Sequence, residues 1–254
     1  MYEALTNVFT SNGLIVSFAI VGITMYIAYF LSDKLTKGRL HGSAIAIILG
    51  LVLAYMGGAT TGGSQGLADI SIFAGIGLMG GGMLRDFAIV ATAFGASFEE
   101  IKKAGVTGVL SLFIGVSASF AVGVIIALSF GYTDAVSLTT IGAGTATYIV
   151  GPVAGTALGA SSEVITISIA AGLVKSIITM IGTPFIAKYI GLNNPRSAMV
   201  YGGLIGSTSG VAGGLAATDP KLVPYGAVTA TFYTGLGCLL APSILFLTTK
   251  AIFG

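Results

Sequence analysis

The chain has 254 residues, of which 55% are hydrophobic and only 8% charged, with a mean hydropathy of +1.00. A water-soluble domain carries about 25% charged residues, so this composition excludes an ordinary soluble fold. The net charge of +2 is spread along loops, which argues against nucleic acid. A single cysteine (Cys238, in an apolar run) rules out an internal disulfide, and a single histidine argues against a His-based metal site. Charge-free runs at 104–133, 135–162 and 222–249 are long enough to cross a bilayer. The reading is an all-α, polytopic membrane protein.

Met1 to Thr10 reads as an interfacial lead-in, without the basic flank and small-residue cleavage site of a signal peptide. Leu14 to Leu31 is the first span. Asp33, Lys34, Lys37, Arg39 and His41 follow, and short loops rich in Lys and Arg stay in the cytoplasm. The N-terminus is therefore expected in the periplasm. Ser43 to Met56 is a second span, followed by a flexible external loop, Gly57 to Ser64. A third, Ile70 to Leu84, carries the triplet Gly80 to Gly82, where an unwound or tightly packed point is expected. These three spans make up residues 1–84. Over 87–104 apolar residues recur at helical spacing and Glu99, Glu100, Lys102 and Lys103 gather at the end, as in an amphipathic helix on the membrane surface. Val106 to Phe130 is the fourth span.

The remainder, 106–254, forms a core of broken helices. Thr140 to Pro152 and Gly202 to Gly214 are apolar yet full of Gly, Ser and Thr. Unwound backbone cannot face lipid, because each bare N–H or C=O costs several kcal/mol there. It fits a polar cavity inside a protein, as in transporters. Val164 to Ala187 is a full span whose end carries Lys188 and Arg196, so the segment before it begins and ends outside, as a re-entrant hairpin. Ser197 to Thr218 either dips in from the cytoplasm in the same way or crosses. Leu222 to Thr249 returns outward in the first case, which puts Lys250 outside.

The two broken segments align at one offset. Val153-Ala154-Gly155 matches Val211-Ala212-Gly213, Gly144 matches Gly202 and Pro184 matches Pro242, each 58 positions on. The implied unit is hairpin plus span, over 140–190 and again over 198–248, in opposite orientations. Inverted repeats with interrupted helices point to a secondary transporter.

The sequence offers no Ser/His/Asp set, paired carboxylates, metal-ligand cluster or phosphate-binding loop, so no enzyme is expected. Candidate substrate ligands are the hydroxyls of Thr145, Thr147, Ser207, Thr208 and Ser209, with half-helix N-termini suited to carboxylates. Freed carbonyls near Gly144, Gly151 and Gly206, with Thr218 and Asp219, are candidate ligands for Na⁺, a hard cation. Asp219 is a cation ligand if it lies within the membrane and a helix cap if it lies in a loop, and the cap is the preferred reading. Lys175 lies far from both ends of its span, where an ionisable residue is a functional candidate by default. Either it meets a substrate carboxylate or stands in for a coupling ion, or it pairs structurally with Glu163, Asp134 or Asp219.

Three stretches then carry a resemblance: Leu192 to Gly203, Gly210 to Gly226 and Thr229 to Pro242, the last beginning Thr-Ala-Thr-Phe-Tyr-Thr-Gly-Leu-Gly-Cys. They closely resemble the MadM subunit of the bacterial malonate:sodium symporter, and the likeness extends over essentially the whole chain. More distantly, Gly144-Thr145-Ala146 before a long helix looks like the hairpin region of sodium:glutamate symporters, which suggests an elevator-like moving domain. The first resemblance implies malonate uptake with Na⁺ as the coupling ion and no other cofactor. It also implies a smaller membrane partner, MadL, and a place in the bacterial inner membrane. Two other classes stay open from the residues: a membrane subunit of a sodium-pumping decarboxylase, and a passive channel or assembly subunit.

Overall fold

A computed structural model describes residues 2–37, 42–63, 66–79 and 98–254. The Gly80 to Gly82 triplet, His41 and the 87–97 part of the expected surface helix lie outside the described residues. All regular structure among those described is helical. The chain forms two compact units, divided between Ala91 and Thr92.

In the first unit, α1 (Tyr2–Ser11) leads into α2 (Gly13–Thr36), which packs along α3 (Gly42–Thr61). The lead-in is thus a regular helix. The expected loop from Gly57 is helical as far as Thr61. Thr60 and Thr61 satisfy their own hydroxyls by donating to the Met56 and Gly57 carbonyls one turn back, and Gly57 lets the Gly66 backbone approach. Glycine lowers helix propensity without forbidding helix where neighbours pack against it. Two 3₁₀ turns, Gly66–Asp69 and Ser71–Phe73, precede the short α4 (Gly75–Met79), which crosses α2 where Gly75 meets Gly13 and Ser17, so the described part of the span expected from Ile70 to Leu84 is broken and not one continuous helix.

The second unit opens with α5 (Phe98–Ser129), kinked at Gly105, whose φ of 50° and ψ of −144° no helix uses. The surface-helix pattern and the fourth span therefore meet at that glycine. Next come α6 (Ala135–Ala146) and α7 (Val150–Leu158), then the long α8 (Ser162–Ile186). The same plan recurs as α9 (Pro195–Ile205), α10 (Thr208–Ala216), a 3₁₀ turn at Pro220–Leu222 and α11 (Val223–Leu240). A π-turn at Ala241–Leu245 carries α11 into α12 (Phe246–Phe253). The π-turn contains Pro242, which has no N–H to give and would clash with the carbonyl four residues back in a regular helix.

Capping residues set the starts. Asp134 accepts from the Ser137 N–H at 2.8 Å to open α6, and Asn194 and Ser197 form a capping box on α9 with Pro195 at its first position. Burial alone pushes the Asp134 carboxyl up, but the bonds from Ser137 outweigh it and hold the group below its ordinary value. Ser161 caps α8, and Asp219, 58 positions on, caps the turn that leads into α11.

Contacts fix how these pieces run. In the first unit of the repeat, Gly151 meets Gly144 and Gly155 meets Thr140, so α6 and α7 fold back on one another. Both lie on the N-terminal half of α8: a Cβ on Gly144 would collide with the Ser168 carbonyl, and Gly172 sits against Tyr148. In the second, a Cβ on Gly202 would collide with the Gly226 carbonyl, the same contact 58 positions later. From there α9 follows α11 up to Gly206, which sits against the Tyr233 ring, while Leu215 on α10 returns to Gly226. The C-terminal half of α8 takes α10, through Gly210 on Thr179, Gly213 on Met180 and Gly214 on Thr183. The C-terminal half of α11 takes α7, through Val150 on Gly237 and a cluster of Ala154 with Ala241. Each span thus holds its own hairpin by its first half and the other hairpin by its second. The two spans run in opposite directions, and the two hairpin tips meet at mid-height.

Among the described residues, five stretches, Gly13–Thr36, Ile45–Phe73, Gly105–Ser129, Ser162–Ile186 and Pro220–Phe253, are long and apolar enough to cross a bilayer. Outward side chains such as Ile125, Ile178, Phe232 and Leu239 are more than 60% exposed, while Thr140, Ser168, Ser176 and Thr183 are essentially buried. An apolar exterior around a hydroxyl-lined interior is the inverse of a soluble bundle and fits a lipid solvent.

Candidate functional site

Both hairpins break where backbone geometry leaves the helix. At the first tip Thr147 is extended (φ −153°, ψ 153°). Its buried hydroxyl accepts from the N–H groups of Ile149 (3.2 Å) and Val150 (3.4 Å), just where α7 begins. At the second, Gly206 is left-handed (φ +75°), where a side chain would be strained and would also strike Tyr233. Ser207 follows in an extended conformation and accepts from the Gly210 N–H at 3.3 Å, capping α10. Each tip therefore presents one helix C-terminus, negative, and one helix N-terminus, positive.

Lys175 lies between the tips. It lies thirteen positions past the start of α8, about 20 Å at the helical rise, which matches the middle of a membrane. Its ammonium donates to Ser119 Oγ at 2.8 Å and to the Ala146 carbonyl, the last of α6, at 3.0 Å. It also lies 5.3 Å from the centroid of the Tyr233 ring. These partners are a hydroxyl, a carbonyl and a ring, with no carboxylate among them. Glu163 is in the first turn of α8, Asp134 caps α6 and Asp219 caps the turn before α11, all at hairpin ends and not at the tips.

Hydroxyls tie the tips together. Ser207 Oγ lies 2.5 Å from Ser176 Oγ, and Ser176 donates to the Gly172 carbonyl at 3.0 Å. Tyr233 is fully buried and donates to the Gly115 carbonyl of α5 at 3.0 Å. Thr145 donates to the Ser119 carbonyl at 2.8 Å, with the Gly142 carbonyl 2.7 Å away. Ser119 is thus the point on α5 to which both Lys175 and Thr145 are fastened.

Of the residues expected from the sequence, Gly144, Thr145, Thr147, Gly151, Lys175, Gly206, Ser207, Thr208 and Ser209 lie at or beside the tips. Thr208 and Ser209 begin α10 and are half-buried. Thr218 and Asp219 lie past the other end of α10, a nine-residue helix, about 13 Å away along its axis. There Thr218 donates to the Gly214 carbonyl at 2.7 Å and Asp219 accepts from the Lys221 N–H at 3.0 Å. Sequence reasoning missed Ser119, Ser176 and Tyr233. For Tyr233 a signal was present, since it lies 58 positions after Lys175, at the offset that aligns the hairpins.

A cavity of about 510 Å³ runs along α9 from Asn194 and Arg196 to Leu204, with Thr107 on its far wall. It ends two residues before Gly206, so it reaches toward the second tip from the α9 N-terminus and does not enclose Lys175.

Among the described residues, the arrangement combines an embedded cation whose partners include no carboxylate, two helix N-termini, two helix C-termini and a set of hydroxyls. It is suited to holding an organic anion beside a hard cation. Fold and site together define a multi-pass helical membrane protein with interrupted helices meeting at mid-height. Residues 5–253 match the family described as malonate/sodium symporter MadM subunit, and the chain belongs to that family. No curated protein and no solved structure matches it.

Proposed function

We propose that the chain carries malonate into the cell with Na⁺ across the bacterial inner membrane, as the larger subunit of a symporter completed by the smaller membrane protein MadL. The observation that carries this reading is Lys175. An ammonium at mid-span is costly unless compensated, and its partners among the described residues are neutral. A carboxylate of the substrate supplies the missing charge. Thr147, Ser207, Thr208 and Ser209, at the N-terminal ends of α7 and α10, bind the second carboxylate. Carbonyls near Gly144, Gly151 and Gly206 serve Na⁺. Thr218 and Asp219 act as caps at the far end of α10.

In this reading the hairpins are re-entrant from opposite faces and the tips move together as an elevator-like unit. The Lys- and Arg-bearing loops after α2 and α8 support a periplasmic N-terminus. The groove along α9 is then the cytoplasmic approach, with Arg196 attracting the anion at its mouth. Labelled malonate uptake into vesicles holding the chain and its partner tests the assignment. Uptake must fall to background when Na⁺ is replaced by choline, and sodium-indifferent uptake rejects the coupling.

A further inference from the structure

The seat of the Lys175 ammonium is itself a cation site. A hydroxyl oxygen at 2.8 Å, a carbonyl at 3.0 Å from the negative end of α6, and an aromatic face at 5.3 Å are groups that attract a monovalent cation, and the two oxygens are the kind of ligand Na⁺ takes. The chain fills that site with its own charge, on a flexible four-carbon stem.

We propose that Lys175 is a displaceable occupant of this site, and that substrate and sodium exchange around it. A substrate carboxylate draws the ammonium away from Ser119 and Ala146, and Na⁺ takes the two oxygens it vacates. This rests on the reading that the chain carries an organic anion with Na⁺, and it explains the coupling. Without the anion, ammonium and Na⁺ compete for the same oxygens, so Na⁺ is rejected. Without Na⁺, moving the ammonium leaves a carbonyl and a hydroxyl bare in a desolvated place, so the anion binds weakly. Each ligand raises the affinity of the other, as reciprocity of binding demands.

The experiment compares thermal unfolding of the purified full-length transporter, with its native partner, in NaCl and in choline chloride at equal ionic strength. Wild type responds to Na⁺ only when malonate is present. Lys175→Met, which empties the seat, responds to Na⁺ without malonate, by about 2 to 4 °C at saturating salt, and adding Ser119→Ala to it removes the response. A folded Lys175→Met protein indifferent to Na⁺, or a wild type that responds fully to Na⁺ alone, overturns the proposal. Should Lys175→Met not fold, Ser119→Ala alone decides. It raises the Na⁺ concentration for half-maximal malonate uptake at least 10-fold, with a smaller change in the malonate KM at saturating Na⁺. An unmoved Na⁺ requirement overturns the exchange. Wild-type uptake in the same vesicles separates the two failures: if it needs Na⁺ while these variants behave otherwise, only the exchange is wrong.

Discussion

Lys175 and Tyr233 occupy the same position in two copies of one structural unit, 58 residues apart, and the ammonium of the first lies 5.3 Å from the ring centroid of the second. Each is the mid-point of a span, level with a hairpin tip. Equivalent positions have diverged into a charge and an aromatic face that attract. Two lysines there would repel by about 3 kcal/mol at an effective dielectric constant of 20. Among the described residues, the asymmetry leaves a single positive charge in the middle of a nearly symmetric arrangement.

Lys175→Met removes that charge while keeping most of the apolar stem. A hydrogen bond to a charged group is worth about 1.5–3 kcal/mol, so malonate uptake should fall about 10- to 150-fold with the protein still inserted and monodisperse. Initial rates in vesicles matched for protein content check this. Uptake at the wild-type rate would remove Lys175 from the mechanism.

Tyr233 has two separable roles. Tyr233→Phe keeps the ring beneath the ammonium but leaves the Gly115 carbonyl without its donor. Thermal stability should drop by about 1–2 kcal/mol, with transport reduced only modestly. Tyr233→Leu also removes the cation–π contact and should lower transport further. Equal transport in the two variants would mean that the ring face contributes nothing.

Ser176 and Ser207 join the second tip to α8 through a short bond. Ser207→Ala loses both that bond and the α10 cap, at about 1–2 kcal/mol. Ser176→Ala loses less, since Ser207 keeps its contact with Gly210. A double-mutant cycle on unfolding should give a coupling of about 1 kcal/mol, whereas strict additivity would show that the bond does not hold the tip.

Gly206→Ala forces a side chain into left-handed backbone and against the Tyr233 ring, at a cost of at least about 1–2 kcal/mol. Gly182→Ala, in α8 with nothing near the added methyl, should instead stabilise by up to about 1 kcal/mol. Melting curves of the two variants should therefore shift in opposite directions.

The spans of α2, α5, α8 and α11 and both breaks were legible because their signals are local, whereas the span expected from Ile70 was not, since a 3₁₀ turn and the five-residue α4 occupy its described part. Absence of charge marks a membrane helix, and clustered Gly, Ser and Thr inside an apolar run mark a break. The offset of 58 places α7 on α10 residue for residue, 150–158 on 208–216. What stayed hidden depends on distant chain. Ser119 is one hydroxyl in an apolar helix, and only the approach of α6 and α8 to α5 turns it into an anchor. Whether Asp219 is a ligand or a cap depends on its depth, which only the fold supplies by placing it at a hairpin end, where it accepts from Lys221. The end of α3 was misplaced because glycine propensity was weighed without the Gly66 backbone that packs on Gly57.

A density map of the transporter with malonate and Na⁺ bound tests the central claim most directly. The account predicts a malonate carboxylate against the Lys175 ammonium, enclosed between Thr147 and Ser207. Malonate held in the groove beside Arg196, with Lys175 still closed on Ser119 and Ala146, would contradict it.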